Sequence, residues 1–442
     1  MSFIIDKQTI DDLNIFGKHG KNSVFSIYNN TRTKGGAKLL EEMFRHPLDD
    51  FGVIKKRQDI IQYFYHKRMD FPFEGSLFDS VEYYLSNTDT RTRIDAHDNK
   101  LKKRFQRLMK TDTEFQMIHK SILGLISIIN RLHDFFEDID NDELTVLEMP
   151  EMEEVKIIIS DEKFRFVKKE RETKKLSLEK TGKYDNELRY ASNKNMHKML
   201  SFIYQLDIYI SLAHVARERK LSFSDVQPSD SNILKISQLS HPLLTDPVVN
   251  TIEVTVENNV IFLTGANMAG KSTFMKSFGI AVFLAHLGFP VPAQEMTFSV
   301  RNGMYTTINL PDNLNQGYSH FYAEVLRLKK IANSINHAKN MIIIFDELFR
   351  GTNVKDAYDA TIAVTEAFAT NKDSIFIIST HIIESADILK DKCENINFVY
   401  LPTTMENGVP RYTYTLSSGI TDDRHGMMII HNEKILEILM KK

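Results

Sequence analysis

The sequence predicts a multi-domain chain, helical in its first half and α/β in its second, from three observations. Between about residues 6 and 223, glycine and proline are sparse and apolar residues recur at helical spacing. Beyond about residue 230 the pattern becomes strand alternation and short β-branched runs separated by helical stretches. The 442 residues exceed what one domain ordinarily holds, which sets the expected count at two.

In chain order, Ile122, Leu125, Ile126, Ile129 and Leu132 form one helical stripe, and Met199, Ile203, Leu206, Ile210 and Ala213 another. Residues 220–229 then turn polar, with Pro228 breaking the pattern, so the boundary is expected near Asp230, giving domains 1–230 and 231–442. Ile252, Val254 and Val256 alternate with polar residues, Asn258-Asn259 suggests a turn, and Val260 to Thr264 follows as an apolar run. This reads as a hairpin leading into a buried strand. Met341 to Phe345 and Ser374 to Ser379 read as further buried strands. Asn397 to Leu401 and Arg411 to Leu416 flank Asn407-Gly408, a hairpin connection, and Glu433 to Met440 reads as a last helix.

Composition narrows the class. With 42% hydrophobic and 26% charged residues, the chain is neither disordered, collagen-like nor a mini-protein. Its 56 Lys and Arg against 59 Asp and Glu give a net charge of −3, which excludes a wholly basic nucleic-acid binder and makes any DNA contact regional. Cys393 is the one cysteine, and Met1 to Asp6 has no signal-peptide character, so a reducing cytoplasm is the expected compartment. The apolar stretch Phe278 to Leu287 is interrupted by His286 and stopped by Gly288 and Pro290, short of the roughly 20 residues a membrane span needs. No membrane partner is expected.

The chemistry concentrates in the second half. Gly265-Ala266-Asn267-Met268-Ala269-Gly270-Lys271-Ser272 fits G-x-x-x-x-G-K-[ST], and it lies after a predicted strand and before a predicted helix, as phosphate cradling requires. The glycines let successive N–H groups face phosphates, and the helix N-terminus adds positive potential. Lys271 supplies a charge to the β- and γ-phosphates, Ser272 a hydroxyl to Mg²⁺, and Thr273 support on the α-phosphate side. The strand Met341 to Phe345 delivers Asp346, a candidate metal ligand, and Glu347, a candidate base for water. His381 follows the next strand and is positioned to sense the γ-phosphate or the attacking water. Gly317-Tyr318-Ser319 precedes a helical run and reads as a second anion site that a different protomer would contribute, with simple capping of the helix as the alternative.

Together these residues resemble the bacterial mismatch-repair MutS family. The resemblance rests on Thr264 to Thr273, Gly317-Tyr318-Ser319-His320-Phe321, Asp346-Glu347-Leu348-Phe349-Arg350-Gly351-Thr352 and Thr380-His381. Upstream, Asn30 to Leu40, Pro47 and Arg57 to Ile61 are similar to the start of the family's core/lever domain, and His241-Pro242 to the start of its ATPase domain. The resemblance implies an ABC-type P-loop ATPase behind a helical core/lever domain with a reduced clamp. ATP and Mg²⁺ are then the cofactors, and the homodimer has composite sites in which Ser319 reaches the γ-phosphate held by the other subunit's Lys271. It also places Arg350, Gly351, Thr352 and Asp356 near that interface, and Val248 where the family has an adenine-stacking aromatic.

The resemblance implies departures too. The lever pattern begins within the first few dozen residues, so the mismatch-recognition and connector domains are expected to be missing. Phe135-Phe136-Glu137 matches the family's Phe-x-Glu only inside a helical, acidic stretch, as core and surface. Ala266 and Ala269 stand where the family usually has Pro and Gly, and Arg424 where it usually has Ser, between Gly419 and Gly426.

Two basic segments, Lys100 to Lys110 and Lys163 to Lys183, are candidates for following a DNA backbone, with solvated helix faces as the alternative. Expected partners are therefore mismatched, branched or distorted DNA, a second copy and a MutL-like protein. The competing reading is a nucleotide-gated dimer that clasps a protein or ribonucleoprotein. A small-molecule kinase fits the phosphate loop but not the Asp346, Glu347 and His381 set.

Overall fold

The computed structural model describes residues 3–17, 22–94, 113–139, 149–309, 320–349, 352–406, 409–421 and 435–440. The chain divides into two compact units: Asn29–Met43 with Asp59–Val215, and Met1–Tyr28 with Phe44–Gln58 and Ala216–Lys442. This differs from a single boundary at residue 230, because hydrogen bonding rather than periodicity assigns the N-terminal stretch. Ile4 lies along an edge strand of the second unit, its N–H donating to Asn302 O at 2.8 Å and its carbonyl accepting Met304 N–H at 2.8 Å.

The first unit is helical, with Ser76–Ser86, Thr113–Asp138, Pro150–Ser160, Leu178–Asp185 and most of Asn193–Arg219 among its helices. The five residues of the stripe from Ile122 to Leu132 are buried, as their spacing predicts. Helix Asn193–Arg219, at 27 residues, is long and apolar enough to cross a bilayer, yet most of its apolar window is buried in the protein. From that helix the buried Asp207 reaches the start of helix Lys34–Arg45, accepting from Arg32 N (2.9 Å), Thr33 N (2.8 Å) and Thr33 Oγ1 (2.6 Å). It satisfies donors that a helix start leaves open.

Among the described residues the second unit holds twelve short strands: β1 Asp225–Gln227, β2 Leu234–Leu239, β3 Asn250–Val254, β4 Val260–Gly265, β5 Glu295–Ser299, β6 Gly303–Thr307, β7 Met341–Phe345, β8 Ile375–Ser379, β9 Ile396–Leu401, β10 Thr403–Glu406, β11 Val409–Tyr412 and β12 Ser417–Ser418. Six form a sheet in the order β12-β9-β4-β8-β7-β6, parallel except for β12. Strands β4, β7 and β8 are buried at every position, as expected for a parallel sheet covered on both faces. Phe368, from helix Val354–Ala369, stacks on Phe345 and Phe376 with ring centroids 5.7 and 4.6 Å away, fastening that helix to the sheet.

The expected hairpin across Asn258-Asn259 does not form. Strand β3 pairs antiparallel with β2 in a separate sheet of order β1-β5-β2-β3, and β4 enters the parallel sheet. Burial alternates along β3, which suits a sheet with one solvated face, whereas every residue of β4 is buried. Between them, a 3₁₀ turn at Val256–Asn258, closed by Thr255 N–H donating to Asn258 Oδ1 at 2.5 Å, redirects the chain. The expected C-terminal hairpin is present with a different register: β10 and β11 pair across residues 407–408, which lie outside the described residues. β9 instead joins β4.

Helix Lys7–Asp12 ties the N-terminal stretch to this unit. Its N-cap Asp6 pairs with Arg327 and with Lys330 at 2.6 Å, and Arg327 also donates to Thr306 O at 2.7 Å. Burial alone raises the Asp6 pKa, but the two cations outweigh it and hold the carboxyl well below the usual carboxylate range. A lowered pKa gives stabilisation that is complete above the ordinary value of 3.8 and is lost as the pH falls below it. Asp6→Asn keeps the cap and removes the charge. It is expected to cost about 2–3 kcal/mol in urea unfolding at pH 7, less than a fully buried pair because Lys330 is half exposed. The gap to wild type should narrow as the pH drops below 3.8; a gap independent of pH contradicts the pairing.

Candidate functional site

In an open parallel sheet, loops at the carboxyl ends of the strands converge on one edge, and polar side chains collect there. β4 feeds the glycine loop. Gly265 has φ +144°, and a Cβ there would lie 3.2 Å from Leu401 O on β9, so both conformation and space call for glycine. Met268 and Gly270 also have positive φ, +70° and +101°, and helix Lys271–His286 starts at the end of this turn. Ala269 is buried under the loop, while Asn267, Met268 and Thr273 are exposed and Ala266 is half-buried.

Lys271 is buried. Its Nζ donates to Gly265 O at 2.9 Å and Ala266 O at 3.2 Å, so the ammonium is folded against its own loop. Burial lowers its pKa, opposed by the charges of Asp346 and Glu347. The next residue, Ser272, donates from Oγ to Asp346 Oδ2. Burial raises the Asp346 pKa, with the Ser272 hydroxyl pulling the other way. Asp346 Oδ1 is buried with no hydrogen-bond partner among the described residues. An orphaned carboxylate oxygen beside a hydroxyl is an oxygen-rich donor set that suits a hard divalent cation such as Mg²⁺.

After β7 the backbone turns sharply, with Glu347 at φ +55° and Phe349 at φ +64°. This turn separates the two adjacent carboxylates: Asp346 meets Ser272, and Glu347 Oε1 lies 2.6 Å from His381 Nε2. Glu347 borders two cavities. One, of about 300 Å³, also has Ser272, Thr307, Asn309 and Asp346 in its wall; the other, of about 240 Å³, has Asn267, Thr352 and His381. A third cleft, of about 280 Å³, runs from Gly270 and Thr273 to Val248.

Lys271, Ser272, Asp346, Glu347 and His381 thus lie at one edge of the sheet. Val248 lines the third cleft and is exposed. Ser319, Arg350, Gly351, Arg424, Gly426 and the basic run from Lys100 to Lys110 lie outside the described residues. Asp356 sits in the first turn of helix Val354–Ala369, where its N–H donates to the N-cap Asn353 at 2.9 Å. In the second basic segment, ion pairs engage Lys163, Arg165, Arg171 and Lys180, with Asp161, Glu162, Asp134 and Glu170.

Sequence reasoning missed Tyr414. It lines the same cleft as Val248, and a Cβ on Gly270 would sit 3.0 Å from its ring. Asn250 holds its backbone, donating to Tyr414 O at 3.0 Å and accepting from Leu416 N at 2.7 Å. The only local signal was an aromatic within a run read as strand, and the contact spans 144 residues of chain from Gly270, so no pattern announces it.

The architecture is that of an open α/β sheet with a glycine loop, paired carboxylates and a histidine at one edge. Residues 8–213 match the family model for MutS domain III, and residues 261–441 that for MutS domain V. The chain belongs to the MutS family. MutS protein homolog 4 of Mus musculus is 31% identical over 242 residues, which are 52% of this chain and 24% of that protein. DNA mismatch repair protein MutS of Fusobacterium nucleatum is 32% identical over 211 residues, 46% of this chain and 23% of the relative. For the Lysinibacillus sphaericus protein of that name the figures are 27% over 247 residues, 54% and 28%. The matched stretch spans about a quarter of the length of these curated relatives.

Proposed function

We propose that this chain is a Mg²⁺-dependent ATPase that hydrolyses ATP to ADP and phosphate in a site completed by a second copy, and that the cycle controls binding to mismatched, branched or distorted DNA. The observation that carries the reading is the pairing of Ser272 with Asp346 and Glu347 with His381 beside the buried Lys271. Two carboxylates with different partners suit different tasks, one for a cation and one for a proton.

In this reading Lys271 leaves its loop carbonyls for the β- and γ-phosphates, and the glycine-loop N–H groups face the phosphate oxygens. Ser272 and Asp346 hold Mg²⁺, which when bound neutralises charge developing on the phosphoryl oxygens. Glu347 accepts a proton from the water that attacks the γ-phosphorus as the bond to the bridging oxygen breaks, releasing ADP and phosphate. His381 orients Glu347 through their hydrogen bond. The adenine lies in the cleft between Val248 and Tyr414, the tyrosine ring supplying the stacking surface that valine lacks.

The dimer reading is supported by apolar exposure around the site. Met268 at the loop tip and Val354 at the start of its helix are 79% and 80% exposed, apolar surface beside the site that a second copy would cover. Ser319 of the second copy then contacts the γ-phosphate. DNA as partner is supported by family membership and by relatives named as DNA mismatch repair proteins. A MutL-like protein is the proposed further partner.

Glu347→Gln is expected to cut ATP turnover by about 10²–10⁴, roughly 3–5 kcal/mol of barrier, with ATP binding retained; unchanged hydrolysis removes Glu347 from its role. Ser319→Arg should abolish ATP-driven dimerisation in sedimentation while each monomer still binds nucleotide. An unaltered ATP-dependent shift shows that the second copy does not use Ser319. DNA retention by the purified protein should weaken steeply between about 50 and 200 mM salt. Binding indifferent to salt, or absent for duplex, mismatched and branched DNA alike, favours a protein or ribonucleoprotein client.

A further inference from the structure

We propose that Asp12 is a positioning residue for the nucleotide pocket, holding the end of β6 and the turn after it, residues 306–309, against the Ser272 and Asp346 side. Its functional consequence rests on the ATPase reading above. Asp12 ends helix Lys7–Asp12 and is 3% exposed. Its Oδ2 accepts from Thr306 Oγ1 at 2.7 Å and Ile308 N at 2.9 Å, and its Oδ1 from Asn309 N at 3.0 Å and Gln8 Nε2 at 2.9 Å. Two neighbours on the same helix reinforce the attachment. Thr9 Oγ1 accepts from Thr306 N at 3.0 Å, and Gln8 Nε2 donates to Asn309 O at 2.8 Å.

All four groups aimed at Asp12 are hydroxyl or amide donors, and the carboxylate serves them as an acceptor with two oxygens. An amide of the same shape cannot replace it. Asparagine turns one oxygen into a donor, which in either orientation faces a backbone N–H, of Ile308 or of Asn309, and removes the acceptor that N–H has here.

The held segment borders the chemistry. Thr307, Ile308 and Asn309 share a cavity wall with Ser272, Asp346 and Glu347, and Asp346 N–H donates to Thr307 O at 2.9 Å. A shift of this turn therefore reaches the Asp346 backbone directly, while Lys271 and the glycine loop keep their own supports. Misplacing the metal-and-water side while sparing the phosphate cradle should slow the chemical step and leave nucleotide affinity intact.

The test uses the full chain with Asp12→Asn. Expected are a kcat for MgATP lower by about 10- to 100-fold, a KM changed by less than about twofold, and backbone hydrogen exchange across residues 306–309 faster by about tenfold. Unchanged kcat, or unchanged exchange in that segment, overturns the proposal, as does a rise in KM with kcat preserved. Should Asp12→Asn fail to fold, Thr306→Val removes one donor and leaves both backbone donors in place. Faster exchange there by about fivefold, the effect of one ordinary hydrogen bond, is expected, and no change overturns the proposal. If the wild-type protein shows no ATP turnover, the ATPase reading fails, and the exchange rates alone decide the role of Asp12.

Discussion

Parallel pairing of β4, β8 and β7 is the constraint on which the candidate site depends. Leu263 lies opposite Ser379, and Phe345 opposite Ile378, so the three strands deliver the glycine loop, His381 and the acidic pair to one edge. Because each strand is buried on both faces, every side chain is committed to a packing position. A slip of one residue in β7 would exchange its two faces and carry Asp346 away from Ser272. The energy that fixes this register is apolar burial, with Phe345, Phe368 and Phe376 stacked at its centre. The polar site adds little to that stability. Hydrophobic packing pins the backbone to within the tolerance that a hydrogen-bonded site requires, and the charged groups are arranged on the framework it provides.

How legible this was from sequence depends on how far apart the cooperating residues lie. The glycine loop is local: eight consecutive residues contain the turn, the charge and the hydroxyl, and the flanking apolar runs place them between strand and helix. Met341 to Phe345 was equally plain, since five apolar residues ending in two acids have few other uses. The β3–β4 hairpin was misread because two nearby strands joined by a turn usually pair, and only burial over both faces of β4 reveals that it belongs to a different sheet. The packing of the N-terminal stretch with the sheet unit is not legible from periodicity because its attachment is polar. Ile4, Asp6 and Asp12 bind partners about 300 residues away, and no periodicity records that. Tyr414 escaped for the same reason. Long-range placement of single polar or aromatic side chains has no signature in a sequence window.

A buried Lys271 illustrates how such a site trades stability for readiness. Its ammonium is removed from water and donates to two loop carbonyls, an arrangement that costs solvation energy with limited return. Burial accordingly lowers its pKa, and the acids across the edge of the sheet recover only part of the loss. Asp346 is shifted in the opposite sense, its carboxyl pushed up by burial that the Ser272 hydroxyl offsets only in part. In the proposed ATPase, a polyanion on the lysine and a divalent cation on the aspartate would each supply what the protein alone does not. On the ATPase reading proposed above, a metal–triphosphate complex would relieve both penalties together. An isolated cation would leave Lys271 uncompensated, and an isolated anion would sit close to two carboxylates. On that reading, selection of the ligand as a unit would follow from desolvation rather than from the number of contacts.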